Sequence, residues 1–391
     1  AGTEYFVNFN VTTVEKEPLI PIGHEIACDQ FRLPIESPKK AFKTSGPKLT
    51  VSTNGDNLSA SSSKVNFVFN RKTGIVTSYK VDGTEYFSEG FGIQPNFWRA
   101  PTDNDYGNGM PKRLQVWKES SKNFNVTDAT VTMDGNNAVV NVNYLLPAGN
   151  LYIVNYTIYP SGAVNVAARF TSTDMDAAQT EVSEATRTAT FTPGRDAARK
   201  EASKLNVPRI GVRFRLPASM NQVEYFGRGP AENYLDRNAG SMIGLYKSTA
   251  EELYFPYVRP QENGHHTDTR WVSLSTGKKG LLIQADNTIG FNALRNSIED
   301  FDDEEATGLP RQWSNFTPEQ VANHDEAAAK SVLRRQHHIN DITPRDFVEV
   351  CVDLKQQGVA GYDSWGSRPE PAYTLPANRE YNWGFTLIPL K

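Results

Sequence analysis

The sequence predicts an all-β protein built around a large antiparallel sandwich. Most of the chain divides into short segments in which apolar and polar residues alternate, as they do in strands that bury one face. Turn signals rich in Gly, Asn and Pro separate these segments at hairpin spacing, and helical patterns are scarce. Hydrophobic residues make up 38% of the 391 residues and aromatic residues 11%, so the chain can bury a substantial core.

Each alternating segment is predicted to form a half-buried strand. The segments cover residues 5–11, 65–69, 139–146, 151–159, 164–170, 210–216 and 347–354. The turn signals are NGD at 54–56, DGN at 134–136 and PSG at 160–162. Many strands at hairpin spacing favour an antiparallel sandwich.

Helix is predicted at three places. The pattern at 317–335 is the clearest, because Thr317 can cap the first turn, Pro318 suits the first helical position and Gln320 completes a capping box. The other helical patterns cover residues 110–122 and 194–206.

A change in composition divides the chain. Residues 36–50 are rich in Lys, Ser and Pro and have no apolar period, so they are predicted to form a linker. Residues 1–35 contain two strand patterns, and two strands cannot bury a core by themselves. We therefore expect residues 1–35 to be the end of a domain whose other strands lie outside this chain, and residues 51–391 to form the sandwich.

Charge and cysteine content narrow the function classes. The net charge of −4 offers no basic surface to nucleic acid or to an anionic membrane, and no apolar run is long enough to span a bilayer, so neither is an expected partner. Cys28 and Cys351 lie in strand-like apolar segments and are predicted to be two buried free thiols, with a disulfide as the alternative. Their spacing supports no metal site.

An acidic, Gly-containing stretch at 96–109 brings Asp103, Asn104 and Asp105 together. A cation site needs several oxygens that converge on one point, but the glutamate that closes an EF-hand loop is missing here. An Asx turn held by its own side chains is therefore the favoured interpretation.

A second polar stretch, at 225–246, holds Arg228, Glu232, Asp236 and Arg237. Charges of this kind commonly brace loops, so they are predicted to form a structural ion network, with catalysis as the alternative.

The third stretch, at 256–271, holds Glu262, Asn263, His265 and His266. A single His or Glu here could act as an acid–base group. The favoured interpretation is a polar loop whose side chains bond to the backbone. Adjacent histidines in a strand point to opposite faces, so they are not expected to share a metal.

The fourth stretch, AGYDSWGSRPEPAYTLP at 360–376, places Trp365 on a loop rich in Gly, Ser, Asp and Pro. An exposed indole offers a flat apolar face to the C–H groups of a sugar ring. The alternative is a Trp that folds back onto its own domain, as large aromatic side chains usually do.

Taken in order, the segments FWRAPTDNDYG, GRGPAENYLDR, PYVRPQENG and GVAGYDSWG, followed by YNWGFTLIPL, resemble the C-terminal part of the large bacterial β-galactosidases of glycoside hydrolase family 2. This part is called the small chain when it is encoded separately. The resemblance covers residues 50–391, and residues 1–35 resemble the end of the preceding immunoglobulin-like domain. It implies a large antiparallel β-supersandwich related to galactose mutarotases.

The resemblance also implies a division of roles. In this family the acid/base and nucleophile glutamates lie on a TIM barrel that precedes this region, so this chain alone is expected not to hydrolyse a β-galactoside. It is expected to complete the site for a terminal β-galactoside or galactose and to pack on the catalytic barrel, with a homo-oligomer as a further assembly. We expect no cofactor in this chain, and we expect Mg²⁺ or Na⁺ to bind in the complete enzyme. The expected compartment is the bacterial cytoplasm or periplasm.

The family's site motifs imply the substrate-binding residues. The tryptophan of its DSW motif stacks on the sugar, and a mobile loop follows its DND motif near the active site. A basic residue often stands where this chain has His266. The matching positions are Trp365, Asp103, Asn104, Asp105, Gly107, Glu262, Asn263 and His266. The resemblance assigns no catalytic and no metal-binding residue to this chain.

Two other functions stay open from the sequence. The related mutarotase fold supports aldose 1-epimerase chemistry, which needs a carboxylate base and a histidine acid in one cleft, and Glu262, His265 and His266 are the cluster that could supply them. A carbohydrate-binding module without an enzyme partner is the second alternative.

Overall fold

The structure, a computed structural model, describes residues 3–35, 41–172, 205–302, 338–363 and 366–391. The strands in these ranges are β1 Phe6–Thr12, β2 Glu25–Arg32, β3 Thr50–Asn54, β4 Asn57–Ser61, β5 Val65–Asn70, β6 Ile75–Val81, β7 Thr84–Glu85, β8 Gln94–Asn96, β9 Asn125–Asp134, β10 Asn137–Leu145, β11 Leu151–Ile158, β12 Val164–Thr171, β13 Arg209–Pro217, β14 Gln222–Gly229, β15 Met242–Thr249, β16 His266–Ser275, β17 Gly280–Leu294, β18 Phe347–Gln356 and β19 Tyr381–Leu390. The α-helices are α1 Asp103–Gly107, α2 Met110–Arg113, α3 Gln115–Lys122 and α4 Ile298–Phe301, and single 3-10 turns cover Ser88–Gly90, Ile339–Asp341 and Pro371–Tyr373.

All of the predicted strand segments are confirmed within one to two residues at their ends. In β10 the alternation is strict, with the side chains of Ala138, Val140, Val142 and Tyr144 fully buried and the residues between them partly exposed. The predicted helix at 110–122 is present as α2 and α3. The helix predicted at 317–335 lies outside the described residues, as does 194–206 apart from its last two positions.

Three antiparallel sheets build the described part of the chain. The largest has twelve strands, with the path β15-β14-β16-β17-β19-β12-β11-β10-β9 and a branch through β18, β13 and β8. The second sheet has five strands in the order β3-β4-β5-β6-β7, and β1 pairs with β2 alone.

The long strand β17 creates the branch in the large sheet. Its residues Gly280–Ala285 pair with β19, whereas Gly290–Leu294 pair with β18. Of the four residues between these pairings, the first three are exposed and Ile289 is buried. A strand that changes partners in this way turns one sheet over another, as at the corners of β-sandwiches.

Aromatic side chains pack the five-stranded sheet against the large sheet. The rings of Phe67 and Tyr156 lie 5.6 Å apart, and those of Phe87 and Phe214 lie 5.5 Å apart. The buried hydroxyl of Tyr79 donates to the carbonyl of Gly162 across the same interface at 2.6 Å. Complete burial of each such side chain contributes about 1.5–3 kcal/mol. The predicted antiparallel sandwich is therefore confirmed.

The β1–β2 hairpin is attached mainly through polar contacts. Gln30 exchanges two hydrogen bonds with the backbone of Ile243 at 2.8 and 2.9 Å, and Glu4 pairs with Arg270 at 2.6 Å. On the other face of the hairpin, Phe9 is 56% exposed and Phe31 is 54% exposed. An apolar face of this kind is typical of a strand pair that lacks its covering layer among the described residues.

The two cysteines differ in their surroundings. Both are free, and only Cys351 is buried. The prediction of a buried thiol is wrong for Cys28, because the strand pair that holds it has no covering layer in the described part of the chain. Within the described ranges, no helix is long and apolar enough to cross a membrane.

Candidate functional site

The four polar stretches singled out in the sequence meet at one end of the large sheet. Strands β8 and β18 both pair antiparallel with β13, so their carboxyl ends lie together beside the start of β13. Strand β14 likewise runs antiparallel to β16, so the loop after β14 lies near the loop before β16. Residues far apart in the chain therefore share this edge.

The acidic cluster forms the start of a short helix rather than an Asx turn. Thr102 caps α1: its hydroxyl accepts from the Asp105 N–H at 3.1 Å, and the Asp105 carboxylate accepts from the Thr102 N–H at 3.0 Å. This capping box satisfies N–H groups that a helix start leaves open. The side chain of Asp105 is thus directed inward and is only 1% exposed.

The fully buried Arg99 holds Asp105 and a loop from another stretch. Its Nε and Nη2 atoms donate to the two carboxylate oxygens of Asp105, each at 3.0 Å. It also donates to the carbonyl oxygens of Gln357 at 2.7 Å and Gly358 at 3.0 Å. Burial opposes the charge on Arg99, but the neighbouring carboxylate keeps its pKa raised. Arg99 therefore anchors the first part of residues 357–363, which we call the sugar loop after the role that the sequence resemblance implies for Trp365.

Two further side chains bind the same loop from opposite sides. The carboxylate of Asp236 accepts from the N–H groups of Val359 at 2.9 Å and Ala360 at 2.8 Å. The side-chain amide of Asn104 donates to the carbonyl of Val359 at 3.1 Å. The peptide unit between Val359 and Ala360 is therefore held at both its oxygen and its nitrogen.

Asp103 and Gly107 lie on the exposed side of α1. The side chain of Asp103 is 62% exposed, and Gln261 binds both its carboxylate and its backbone N–H at 3.0 Å. The backbones of Gly107 and Gly366 approach closely, because a Cβ atom on Gly366 would lie 2.6 Å from the carbonyl oxygen of Gly107. Gly366 also has a positive φ of 87°, a conformation that favours glycine.

Glu262 and Asn263 are buried and face the protein. Glu262 Oε1 accepts from Arg209 at 2.9 Å, Gln356 at 2.8 Å and Asn292 at 3.1 Å. The side chain of Asn263 accepts from the backbone of Phe255 and donates to the backbone of Gln261. Asn263 thus matches the interpretation of a polar loop whose side chains bond to the backbone, whereas Glu262 binds other side chains.

Both neighbouring histidines are also buried. Burial, helped by the charge of Arg209, holds the pKa of His265 well below its usual value. Burial likewise lowers the pKa of His266, whose ring nitrogens lie 3.2 Å from the carbonyl oxygens of Gly264 and Pro230. The ring of His266 stacks on Phe291 at 5.1 Å. In both imidazoles burial therefore disfavours the charged form.

Arg209, which the motif analysis missed, lies between two buried carboxyl groups. Its Nη2 binds Glu262, and its Nε lies 3.1 Å from Asp353 Oδ2. Neither oxygen of Asp353 accepts a hydrogen bond from the described residues. Burial raises the pKa of Asp353 to about 8, so Asp353 is the carboxyl that keeps its proton. The only sequence signal for this role of Arg209 was its position at the start of a segment with the alternating pattern of a strand.

The proton on Asp353 gives a definite pH dependence. An unfolded Asp titrates near pH 4, so between about pH 4 and 8 the folded chain binds one more proton than the unfolded chain. This contribution to stability is complete at low pH and is lost as pH rises through the folded pKa of about 8. His265 and His266 have the opposite effect on the pH dependence of stability, because their pKa values are lowered in the folded chain. Their contribution to stability is present at neutral pH and is lost as pH falls below about 6.5.

The cavity beside this network is small. It holds about 20 Å³ and is lined in part by Arg209, Glu262, Asn292, Ile298 and Phe301. Sites for drug-sized ligands have volumes of about 300–1,000 Å³, whereas this one has room for a water molecule. A hexose does not fit here in the described structure.

The ion network predicted at 225–246 is present in part. Glu232 pairs with Arg237 at 3.1 Å, and its other oxygen accepts from the Gly264 N–H at 2.6 Å. Arg228 pairs instead with Asp268 at 2.6 Å. Asp236, expected in the same network, binds the sugar loop.

The predicted sugar contacts stay predictions. Trp365 lies outside the described residues, so its stacking role stays a prediction. No group of three or more His, Cys, Asp or Glu side chains that could hold a metal ion occurs in the part of the chain that the structure describes. Four of the predicted site residues have buried side chains that bind neighbouring protein groups: Asp105, Glu262, Asn263 and His266. Their role in sugar binding stays a prediction.

The chain belongs to the β-galactosidase small chain family. The sequence model of that family matches residues 61–387, which include all four stretches around the sugar loop.

Two relatives differ in how much of their own length this chain matches. It is 31% identical to a β-galactosidase of Priestia megaterium, over 94% of this chain and 30% of that protein. It is 27% identical to a β-galactosidase small subunit of Latilactobacillus sakei, over 82% of this chain and 92% of that subunit. The chain thus spans about 30% of the longer relative and most of the separate subunit.

One solved structure matches the chain at greater distance. A galactose mutarotase-like protein from Lactobacillus casei matches 85% of this chain and 100% of its own length, with 11% identity and a TM-score of 0.40.

Proposed function

We propose that this chain is the non-catalytic C-terminal portion of a β-galactosidase of glycoside hydrolase family 2. In this role it completes the binding site for a terminal β-galactoside and packs on a catalytic TIM barrel supplied by another part of the enzyme. Membership of the small chain family and the 30% share of the Priestia megaterium relative support this proposal. The relative that is a separate small subunit supports a chain that works with a partner.

The convergence of side chains on the sugar loop is the observation that carries the proposal. Arg99, Asn104 and Asp236 come from two different stretches, and together they bind consecutive backbone groups of residues 357–360. Ordering a loop costs roughly 1–2 kcal/mol of backbone entropy per residue, so a loop held this firmly is suited to a binding role. Trp365 follows this loop in sequence, and its indole would stack on the sugar.

The buried acids support a non-catalytic role. Glycoside hydrolysis uses two carboxyl groups about 5–9 Å apart that flank a bound sugar. Glu262 and Asp105 are each paired with a buried arginine, and Asp353 lies in the closed interior. The hydrolytic carboxylates would therefore come from the barrel, and Mg²⁺ or Na⁺ would bind in the complete enzyme.

The exposed hairpin fits the same assembly. We propose that β1 and β2 end an immunoglobulin-like domain, whose other strands would cover the face that carries Phe9 and Phe31. A homo-oligomer would add further contacts of the complete enzyme.

The geometry gives less support to an aldose 1-epimerase. His265 and His266 are each about 1% exposed, Glu262 is paired with Arg209, and the adjacent cavity is smaller than a hexose. Polarimetry on freshly dissolved α-galactose tests this alternative, and we expect the chain to leave the rate of mutarotation unchanged. A binding module is tested by galactose affinity, which we expect to be weak because one stacking face supplies only part of the contacts.

The substitution Trp365→Ala in the complete enzyme tests the proposed sugar contact. Loss of one stacking ring should raise KM by about tenfold, which corresponds to about 1.4 kcal/mol of binding free energy, and should leave the melting temperature nearly unchanged. Equal losses of stability and activity would show that Trp365 belongs to the core and not to the site.

A further inference from the structure

Asp236 stands at the tip of a tight turn that fixes its position. Tyr234 and Arg237 exchange two backbone hydrogen bonds, at 2.8 and 3.2 Å, so Leu235 and Asp236 are the two central residues of the turn. Tyr234 is buried, and its ring stacks on His265 at 5.6 Å. The carboxylate is thus presented by a rigid support.

The backbone that Asp236 binds has an unusual conformation. Ala360 has a φ of +54° and Gly361 a φ of +93°, so two consecutive residues are left-handed. A non-glycine residue adopts this conformation only when its surroundings impose it. Asp236 accepts hydrogen bonds from the N–H groups of Val359 and of Ala360 itself. The carboxylate therefore acts directly on the turn.

The surroundings leave this contact little freedom. A Cβ atom on Gly358 would lie 2.3 Å from Asp236 Oδ2, so the carboxylate fits against the loop only because residue 358 is glycine. On the far side, a Cβ atom on Gly361 would lie 2.5 Å from the side-chain nitrogen of Asn104. Asp236 and Asn104 thus enclose the turn between them.

We propose that Asp236 is a positioning residue for sugar recognition. It fixes the left-handed turn at Ala360 and Gly361, and so it sets the course of the sugar loop up to Asp363. It touches neither sugar nor reacting atoms, and it acts through the sugar loop. This inference rests on the proposed function, because it requires the sugar loop to border the galactoside site.

The substitution Asp236→Asn in the complete β-galactosidase tests the inference. An amide keeps the shape of the carboxylate but has one acceptor oxygen, so one of the two N–H groups loses its partner. Loss of one charge-assisted hydrogen bond should raise KM by about tenfold, with a smaller change in kcat. Amide hydrogen exchange should become faster at Val359 and Ala360. The matched control Asp268→Asn changes a carboxylate that binds Arg228 and should leave KM within about twofold, as surface ion pairs contribute little.

A double-substitution cycle with Trp365→Ala separates this inference from the proposed function. If Asp236 acts through the loop, Asp236→Asn should raise KM in the native background but not further in the Trp365→Ala background. An unchanged KM for Asp236→Asn, alongside a raised KM for Trp365→Ala, overturns the role of Asp236 alone. An unchanged KM for Trp365→Ala removes the proposed function, and the inference falls with it.

If Asp236→Asn does not fold, Asn104→Ala provides a second test. This variant frees the other side of the same peptide unit and should also raise KM. A native KM for a folded Asn104→Ala variant with faster exchange in the sugar loop would contradict positioning by this turn.

Discussion

Replacing Arg99 by Met tests whether one buried guanidinium holds the site together. Methionine fills a similar volume but cannot donate the hydrogen bonds that Arg99 makes to Asp105, Gln357 and Gly358. Asp105, which is only 1% exposed, would lose its buried cationic partner. Breaking a buried ion pair by removing one partner costs about 3–5 kcal/mol. At about 2 °C per kcal/mol for a large domain, a loss of about 4 kcal/mol lowers Tm by about 8 °C.

Denaturant titration and thermal melts of the purified chain measure this loss. The control Arg71→Met breaks an exposed pair with Asp56, in which both side chains are nearly half exposed, and should cost no more than about 1 kcal/mol. The double variant Arg99→Met/Asp105→Leu should recover part of the loss, because no charge is then left buried without a partner. Equal destabilisation by Arg99→Met and Arg71→Met would refute the reasoning.

Two further predictions follow from buried and exposed groups. Between pH 6.5 and 8, the free energy of unfolding should decrease as pH rises, because the folded chain holds the proton of Asp353 up to a pKa of about 8. The substitution Asp353→Asn should remove this dependence of the unfolding free energy on pH. If the dependence persists in the variant, Asp353 is not the group that holds the proton. Cys28 is exposed and Cys351 is buried, so a thiol reagent should modify one cysteine in the native chain and both in denaturant, whereas rapid native modification of both would contradict the described core.

The strands were predictable because their physics is local. Alternation with period two reports which face of a strand is buried, and it located segments such as β10 and β11 without any knowledge of their partners. The same pattern did not show that Cys28 is exposed. Its strand has the composition of a buried strand, and exposure depends on a covering layer that local sequence does not encode.

The site was predictable in its parts but not in its pairings. The four stretches were recognisable by their glycine, charged and aromatic residues, and the structure brings them to one edge. The contact between Arg209 and Asp353 joins residues far apart in sequence, and only the pairing of β13 with β18 brings them together. Asp236 was expected among charged neighbours, yet it binds backbone N–H groups, a contact that side-chain composition does not reveal.

The most direct test of the account is reconstitution of β-galactoside hydrolysis. The purified chain is assayed with a chromogenic β-galactoside alone, and then mixed with a fragment that contains the catalytic barrel of the same enzyme. We expect no turnover by the chain alone and a clear rise in activity on mixing, which Asp236→Asn should reduce at low substrate concentration. Turnover by the chain alone, or a barrel fragment whose activity does not change on mixing, would contradict the proposal that this chain completes a site whose catalytic groups lie elsewhere.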